Sequence, residues 1–186
     1  MEMFEPIRLL TEAFNAHDLK FDVSEGEKYQ DIHVPFGIKN GPFVVVRFIS
    51  FGKGNDVLVR IRNLANRVPG EKRFRVLEAL NQLNGRYRFL KFDMDAEQNV
   101  HVEYDFPTNT GSESIGEMGF ELFIRTMQIL NEGYIVLAKA LYSEAEETSG
   151  TDDDAEKKDL MKLLKNNHNG INIQIRKTES SEEQEE

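Results

Sequence analysis

Three stretches of the chain carry apolar residues at alternating spacings of three and four, which is the period of an amphipathic helix. The spacing predicts helices over about residues 3–17, 69–84 and 117–142. The buried stripes predicted for them are Met3, Ile7, Leu10 and Phe14; then Phe74, Leu77 and Leu80 or Leu83; and finally Phe120, Phe123, Met127, Leu130, Tyr134, Leu137 and Leu141. The third pattern is the longest and predicts a wall of the core.

Between these helices the pattern changes to period two, which is typical of half-buried strands. The sequence predicts strands within residues 20–36 and at 43–51, 56–64, 87–94 and 100–106. In the last of them, Val100, Val102, Tyr104 and Phe106 are predicted to face the core, and His101, Glu103 and Asp105 the solvent. The element order predicts an α+β fold with a mostly antiparallel sheet of about five strands and three helices.

The composition changes after Tyr142, so we expect one domain at residues 1–142 and an acidic tail at 143–186. The tail holds thirteen Asp/Glu against six Lys/Arg, whereas the whole chain has a net charge of −10. Within the tail, apolar spacing predicts a short helix at 155–166 and a strand-like segment at 171–175. The negative field of this excess of carboxylates repels phosphate backbones, so general nucleic-acid binding is not expected.

The residues that carry catalysis or bind metals form no recognisable motif. The chain has no Cys, and His17, His33, His101 and His168 show no metal-ligand spacing, so each is expected at the surface or in a loop. Glu103 and Asp105 share a strand face, as an acid–base pair would, but solvated strand faces look the same. We therefore expect a protein that is not an enzyme and binds no metal or cofactor.

No segment is as apolar as a membrane-spanning helix requires, and the acidic N-terminus does not resemble a signal peptide. These features predict a cytoplasmic protein that does not interact with membranes.

One face of the predicted central hairpin mixes large apolar side chains with arginines. Its members are Phe43, Val45, Arg47, Ile49, Phe51, Leu58, Arg60 and Arg62. Aromatic residues and arginine are enriched in protein–protein interfaces, so this face is the candidate partner-binding surface. The alternative interpretation is that the tail or the first helix covers it, with the arginine heads reaching solvent.

The segments Val59–Leu64, Pro69–Arg73 and Val76–Asn84, followed by Arg86-Tyr87-Arg88-Phe89 and the long helix from Gly116, resemble the YbjN family. Members of that family are often labelled bacterial sensory transduction regulators. The resemblance covers about residues 40–142 and implies a secretion-chaperone-like fold, commonly dimeric, that binds extended segments of other proteins. It implies no catalysis and no cofactor, and it carries over no site residue.

Three functional hypotheses follow. The first is a chaperone-like or regulatory module that binds a protein or peptide, as a homodimer. The second is a small-ligand sensor, which requires a polar-lined pocket near Arg47 or Arg60. In the third, the tail is autoinhibitory and its segment 171–175 adds to a sheet edge.

Overall fold

The computed structural model describes residues 2–52, 56–108 and 114–143 of the 186-residue chain. The helices within them are α1 Glu5–Ala16, α2 Arg73–Arg86 and α3 Ile115–Tyr142. The strands are β1 Asp22–Glu25, β2 Gln30–Gly37, β3 Phe43–Ser50, β4 Asp56–Ala65, β5 Lys91–Met94 and β6 Val100–Pro107. The predicted α+β class with three helices is confirmed, but the sheet has six strands where about five were predicted.

The strands form one sheet in the order β1-β2-β3-β4-β6-β5, and every neighbouring pair is antiparallel. Strand β1 was missed because Asp22, Ser24 and Glu25 are exposed, so an edge strand of this kind carries no apolar alternation. The strand predicted at 87–94 was too long. Tyr87 and Leu90 are buried, but they pack beside the sheet rather than in it.

The core lies between the helices and one face of the sheet. Three phenylalanine rings from three elements meet there. The ring centroid of Phe14 in α1 lies 5.2 Å from that of Phe48 in β3 and 6.2 Å from that of Phe123 in α3. Edge-on and tilted contacts between aromatic rings stabilise the fold beyond the gain from burying their apolar surface. The stripes predicted for α1 and α3 are therefore largely correct, although Phe120 and Met127 are only half-buried.

Helix α2 buries only part of its predicted stripe, namely Leu80 and Leu83. Its buried residues are Val76, Ala79, Leu80 and Leu83, whereas Phe74 is 71% exposed and Leu77 is exposed beside it. The residues at the N-terminal end of α2 contact the C-terminal end of α3. Lys72 Nζ donates to the Leu141 carbonyl at 2.5 Å, and Arg75 donates to the Ser143 carbonyl at 3.2 Å. Both cations therefore satisfy carbonyls that a helix C-terminus leaves unpaired.

Several predictions fall outside the described residues. These are the predicted tail helix at 155–166, the segment 171–175, His168, and residues 53–55 of the hairpin turn.

Candidate protein-binding face

The eight residues predicted for the partner-binding surface lie on the side of the sheet opposite the helices. We call this side the outer face. Strand register places Arg47 opposite Arg60 and Ile49 opposite Leu58. The alternate residues Val46, Phe48, Val59 and Ile61 are fully buried on the helix side. Within the described residues the helices pack on that inner side, so the outer face has no helix across it.

A row of charged residues and one histidine crosses the outer face along the strand register. Its members, one from each strand, are Asp22, His33, Arg47, Arg60, Glu103 and Lys91. The two central residues are like charges directly opposite each other, an arrangement that destabilises a strand pair unless other charges compensate. Each arginine instead pairs with a carboxylate on the strand to its other side.

Arg47 is held by a buried carboxylate. Its Nε donates to Asp31 Oδ2 at 2.8 Å, Nη2 donates to the same oxygen, and His33 Nε2 lies 2.6 Å from it. Asp31 is 1% exposed, and its other oxygen, Oδ1, has no hydrogen-bond partner among the described residues. Asp31 depends on these two partners because a buried charge without compensation is costly.

Arg60 is held by two exposed carboxylates of β6. Its Nε lies 3.2 Å from Glu103 Oε2, and its Nη1 donates to Asp105 Oδ1 at 2.7 Å. Nη1 also lies 3.1 Å from the Tyr104 carbonyl. Glu103 and Asp105 do share a face, as predicted, but both carboxylates are engaged with an arginine. Their placement is that of ion-pair partners.

Exposed apolar residues lie on both sides of the charged row. On one side, Phe43 is 73% exposed and Val45 is 40% exposed, and Val45 lies opposite Pro35 of β2. On the other side, Phe51 and Tyr29 are both exposed, and their ring centroids lie 6.1 Å apart. Aromatic and aliphatic groups therefore stand on the outer face at two places, with fixed charges between them.

The sequence did not single out the contribution of β2 to this face. Asp31, His33 and Pro35 alternate with buried Ile32 and Val34, and that period-two pattern was the available signal for their orientation. The pairing of Asp31 with Arg47 could not be read from the pattern, because it depends on the β2–β3 register.

One histidine departs from its predicted place. His101 was expected to face solvent, but it is 6% exposed, and its Nε2 lies 2.8 Å from Asp95 Oδ2. The Asn63 backbone N–H donates to its Nδ1 at 3.2 Å, so the ring carries its proton on Nε2 and donates to the carboxylate. A bulge in β4 between Ile61 and Ala65 brings that N–H into reach.

A cleft of about 270 Å³ lies away from Arg47 and Arg60. It lies between α1 and α3 and is lined by Leu9, Glu12, Ala13, Ala16, Gly116 and Glu117. In the described ranges, no group of three or more His, Asp or Glu side chains could hold a metal ion. None of the described helices is long and apolar enough to cross a membrane.

The family model for YbjN, described as "Putative bacterial sensory transduction regulator", matches residues 6–129. The chain belongs to the YbjN family. The match begins within α1 and so includes β1 and β2, which lie before the residues 40–142 that carry the sequence resemblance.

Comparison with other proteins adds little to the family assignment. No curated protein matches the YbjN chain well enough to count as a relative. Among solved structures, a chain of the ExsC–ExsE complex is 14% identical, with a TM-score of 0.39, and the match covers 77% of this chain and 100% of that one. A likeness at that score carries no argument about fold or partner.

Proposed function

We propose that this YbjN protein is a non-catalytic, regulatory or chaperone-like module that binds a protein or peptide on its outer face. The observation that carries the proposal is the exposure of Phe43, Val45 and Phe51 on a sheet face that no described helix crosses. Large exposed apolar groups on an otherwise polar surface are a mark of interaction sites. The family description as a regulator supports the same role.

The ion pairs of the outer face also favour binding of a partner that is at least partly apolar. Arg47 and Arg60 are already paired with carboxylates, so they do not offer free charges to an acidic partner. Their ion pairs instead fix the side chains in the middle of the outer face in one arrangement. A surface that is ordered before binding loses less side-chain entropy when a partner docks. Phe43 and Phe51 are then the expected anchors, because aromatic residues dominate binding energies.

The test starts from a partner captured from host extract with the full-length chain and then purified. Its affinity is measured for the wild type, for Phe43→Ser/Val45→Ser, and for Phe51→Ser. We expect at least one variant to bind about 30-fold more weakly, which corresponds to the loss of a hot-spot contact of about 2 kcal/mol. Tyr142→Ser is the control, because it removes an equally exposed aromatic residue from the end of α3.

Equal affinity for all variants would place the partner elsewhere and overturn the assignment of the face. Equal loss in the control would show a general effect of removing apolar surface. Substitutions at Arg47 do not serve this test, because they also remove a partner of buried Asp31.

We also propose that the protein is a cytoplasmic homodimer. Multi-angle light scattering at micromolar protein concentration measures this directly. A mass of one chain would refute the dimer and leave the binding face untouched.

A further inference from the structure

One end of the outer face forms an apolar patch with an open side. Its residues pair across β2 and β3, with Pro35 opposite Val45 and Gly37 opposite Phe43. A Cβ atom at Gly37 would lie 3.7 Å from Phe43 Cδ2, so the phenylalanine ring lies against the glycine. Strand β1 pairs with residues 30–33, so the described residues place no strand beside Pro35 and Gly37. We call these four residues the Phe43 patch.

An arginine of β4 borders the Phe43 patch. Arg47 lies opposite Arg60, and the same register continued by two residues places Val45 near Arg62, where the β4 bulge begins. Arg62 is exposed, and unlike Arg47 and Arg60 it makes no ion pair within the described residues. Its guanidinium is therefore available to a group on a partner.

The described surroundings of the Phe43 patch carry free positive charge and no free carboxylate. The loop that joins β2 to β3 adds Lys39 and no acidic residue. The carboxylates of the neighbouring register positions, Asp31 and Glu103, are each engaged with an arginine. Asp93 stands on β5, two strands beyond β4 in the sheet and about 10 Å from it. A partner group that meets Arg62 should therefore be negative, since a cation would be repelled.

We infer, on the basis of the proposed function, that the Phe43 patch and Arg62 bind a segment of a partner polypeptide in which a carboxylate lies next to a large apolar side chain. The apolar side chain would cover Phe43 and Val45. The carboxylate would accept hydrogen bonds from the Arg62 guanidinium, whose planar fork matches two carboxylate oxygens. A phosphorylated segment fits less well, because phosphate sites use clusters of arginines and the sheet offers a single unpaired arginine at this patch.

Three synthetic peptides test the chemistry of the partner with the full-length chain. Each holds a central Leu-Phe pair in a Gly/Ser background, and the pair is flanked on both sides by Glu, by Gln or by Lys. Fluorescence anisotropy should show that the Glu peptide binds about fivefold more tightly than the Gln peptide, and that the Lys peptide binds most weakly. Raising the salt from about 0.05 M to 0.5 M should reduce the advantage of Glu over Gln, since salt screens exposed charges.

Charge reversal at Arg62 locates the site. In Arg62→Glu the order should reverse, so that the Lys peptide binds more tightly than the Glu peptide. Arg73→Glu makes the same charge change at an exposed arginine of α2 that also has no described ion pair, and it should leave the order unchanged. Phe43→Ser should weaken binding of all three peptides by about fivefold or more, because they share the apolar pair. Circular dichroism checks that each variant is folded.

Several results would overturn the inference. These are no binding of the Glu peptide, equal affinity for the Glu and Lys peptides, or an unchanged order in Arg62→Glu. A phosphoserine peptide that binds far more tightly than the Glu peptide, and loses this advantage in Arg62→Glu, would identify a phosphate site instead. A dimer that dissociates in Arg62→Glu, measured by light scattering, would identify a second copy as the occupant. Loss of the captured partner in Phe43→Ser/Val45→Ser together with an unchanged peptide order would refute the carboxylate and leave the proposed function intact.

Discussion

The side-chain amide of Asn84 hydrogen bonds to both backbone polar groups of Phe92, on the side of β5 where the described residues place no neighbouring strand. Its Nδ2 donates to the Phe92 carbonyl at 2.9 Å, and the Phe92 N–H donates to its Oδ1 at 2.8 Å. Antiparallel pairing leaves alternate residues of an edge strand pointing outward, and Phe92 is one of them. A side chain of α2 thus takes the place of a seventh strand and closes this edge to strand addition.

Replacing Asn84 with Ala should therefore destabilise the fold and open the edge. The backbone N–H and C=O of Phe92, the buried residue of β5, would lose their partner, at a cost of about 1–3 kcal/mol. Urea unfolding measures the loss, and light scattering detects association through the freed edge. Asn81→Ala is the matched control, because Asn81 is exposed on the same helix and should lose no stability. Equal stability of the two variants would contradict the closing role.

Acid should remove a contribution that comes from Asp95. Hydrogen bonds from the Asn99 backbone N–H and from the His101 ring lower the pKa of Asp95 from 3.8 to about 2. A group whose pKa is lower in the folded state stabilises the fold above its unfolded pKa, and the effect disappears as pH falls through the folded pKa. This contribution is therefore present above about pH 4 and is lost between about pH 4 and pH 2.

The variant Asp95→Asn should reveal this window. In urea unfolding, the stability difference between wild type and Asp95→Asn should shrink as pH falls from about 5 to about 2. Asp93→Asn, exposed on the preceding strand, serves as the control and should show no such change. A difference that stays constant with pH would refute the role of Asp95.

The sequence predicted the elements whose apolar spacing has a single interpretation. The runs of period two predicted β2, β3, β4 and β6. The long run with a period near 3.6 residues predicted α3, which ends at Tyr142 as expected. For helix α2 the predicted stripe was half correct: Leu80 and Leu83 are buried, but Val76 and Ala79 complete the buried side in place of the exposed Phe74 and Leu77. Spacing alone cannot say which of two apolar stripes the rest of the fold covers.

The candidate site was predicted in its residues but not in its electrostatics. Alternation along β3 and β4 was enough to place Arg47 and Arg60 on one face. Whether those arginines were free or paired depended on which residues stand beside them. That depends on the register between strands distant in sequence, which a single sequence does not specify. His101 illustrates the same limit, because a bulge and a turn enclose a residue whose alternation points outward.

Close packing of α1 on α3 should make Gly116 intolerant of a side chain. A Cβ there would lie 2.5 Å from the Leu9 carbonyl oxygen and 2.9 Å from Ala13 Cβ, so the helices would have to separate. Gly116→Ala is expected to cost about 1–3 kcal/mol, as overpacking does. Gly85→Ala is the matched comparison, because it also lies in a helix but has open space around it. That change should stabilise by about 0.5–1 kcal/mol, since Ala favours helix more than Gly. Denaturation midpoints that fall for both would contradict this interpretation.

Arg47 and Arg60 should differ in how much stability they contribute, although they lie opposite each other. Replacing Arg47 with Met keeps an apolar stem but leaves Asp31, 1% exposed, without its cation, and this should cost about 3–5 kcal/mol. Replacing Arg60 with Met leaves Glu103 and Asp105, which are 40% and 51% exposed and can be solvated. Arg60→Met should therefore lower the free energy of unfolding by only about 0–1 kcal/mol.

The third variant of this set separates charge from packing. Adding Asp31→Asn to Arg47→Met removes the uncompensated charge, so the double variant should recover part of the lost stability. Urea unfolding near neutral pH measures all four proteins, the wild type included. If Arg47→Met and Arg60→Met cost the same, the burial of Asp31 would not control the energetics of the face. If the double variant recovered nothing, the loss would come from packing of the Arg47 side chain rather than from its charge.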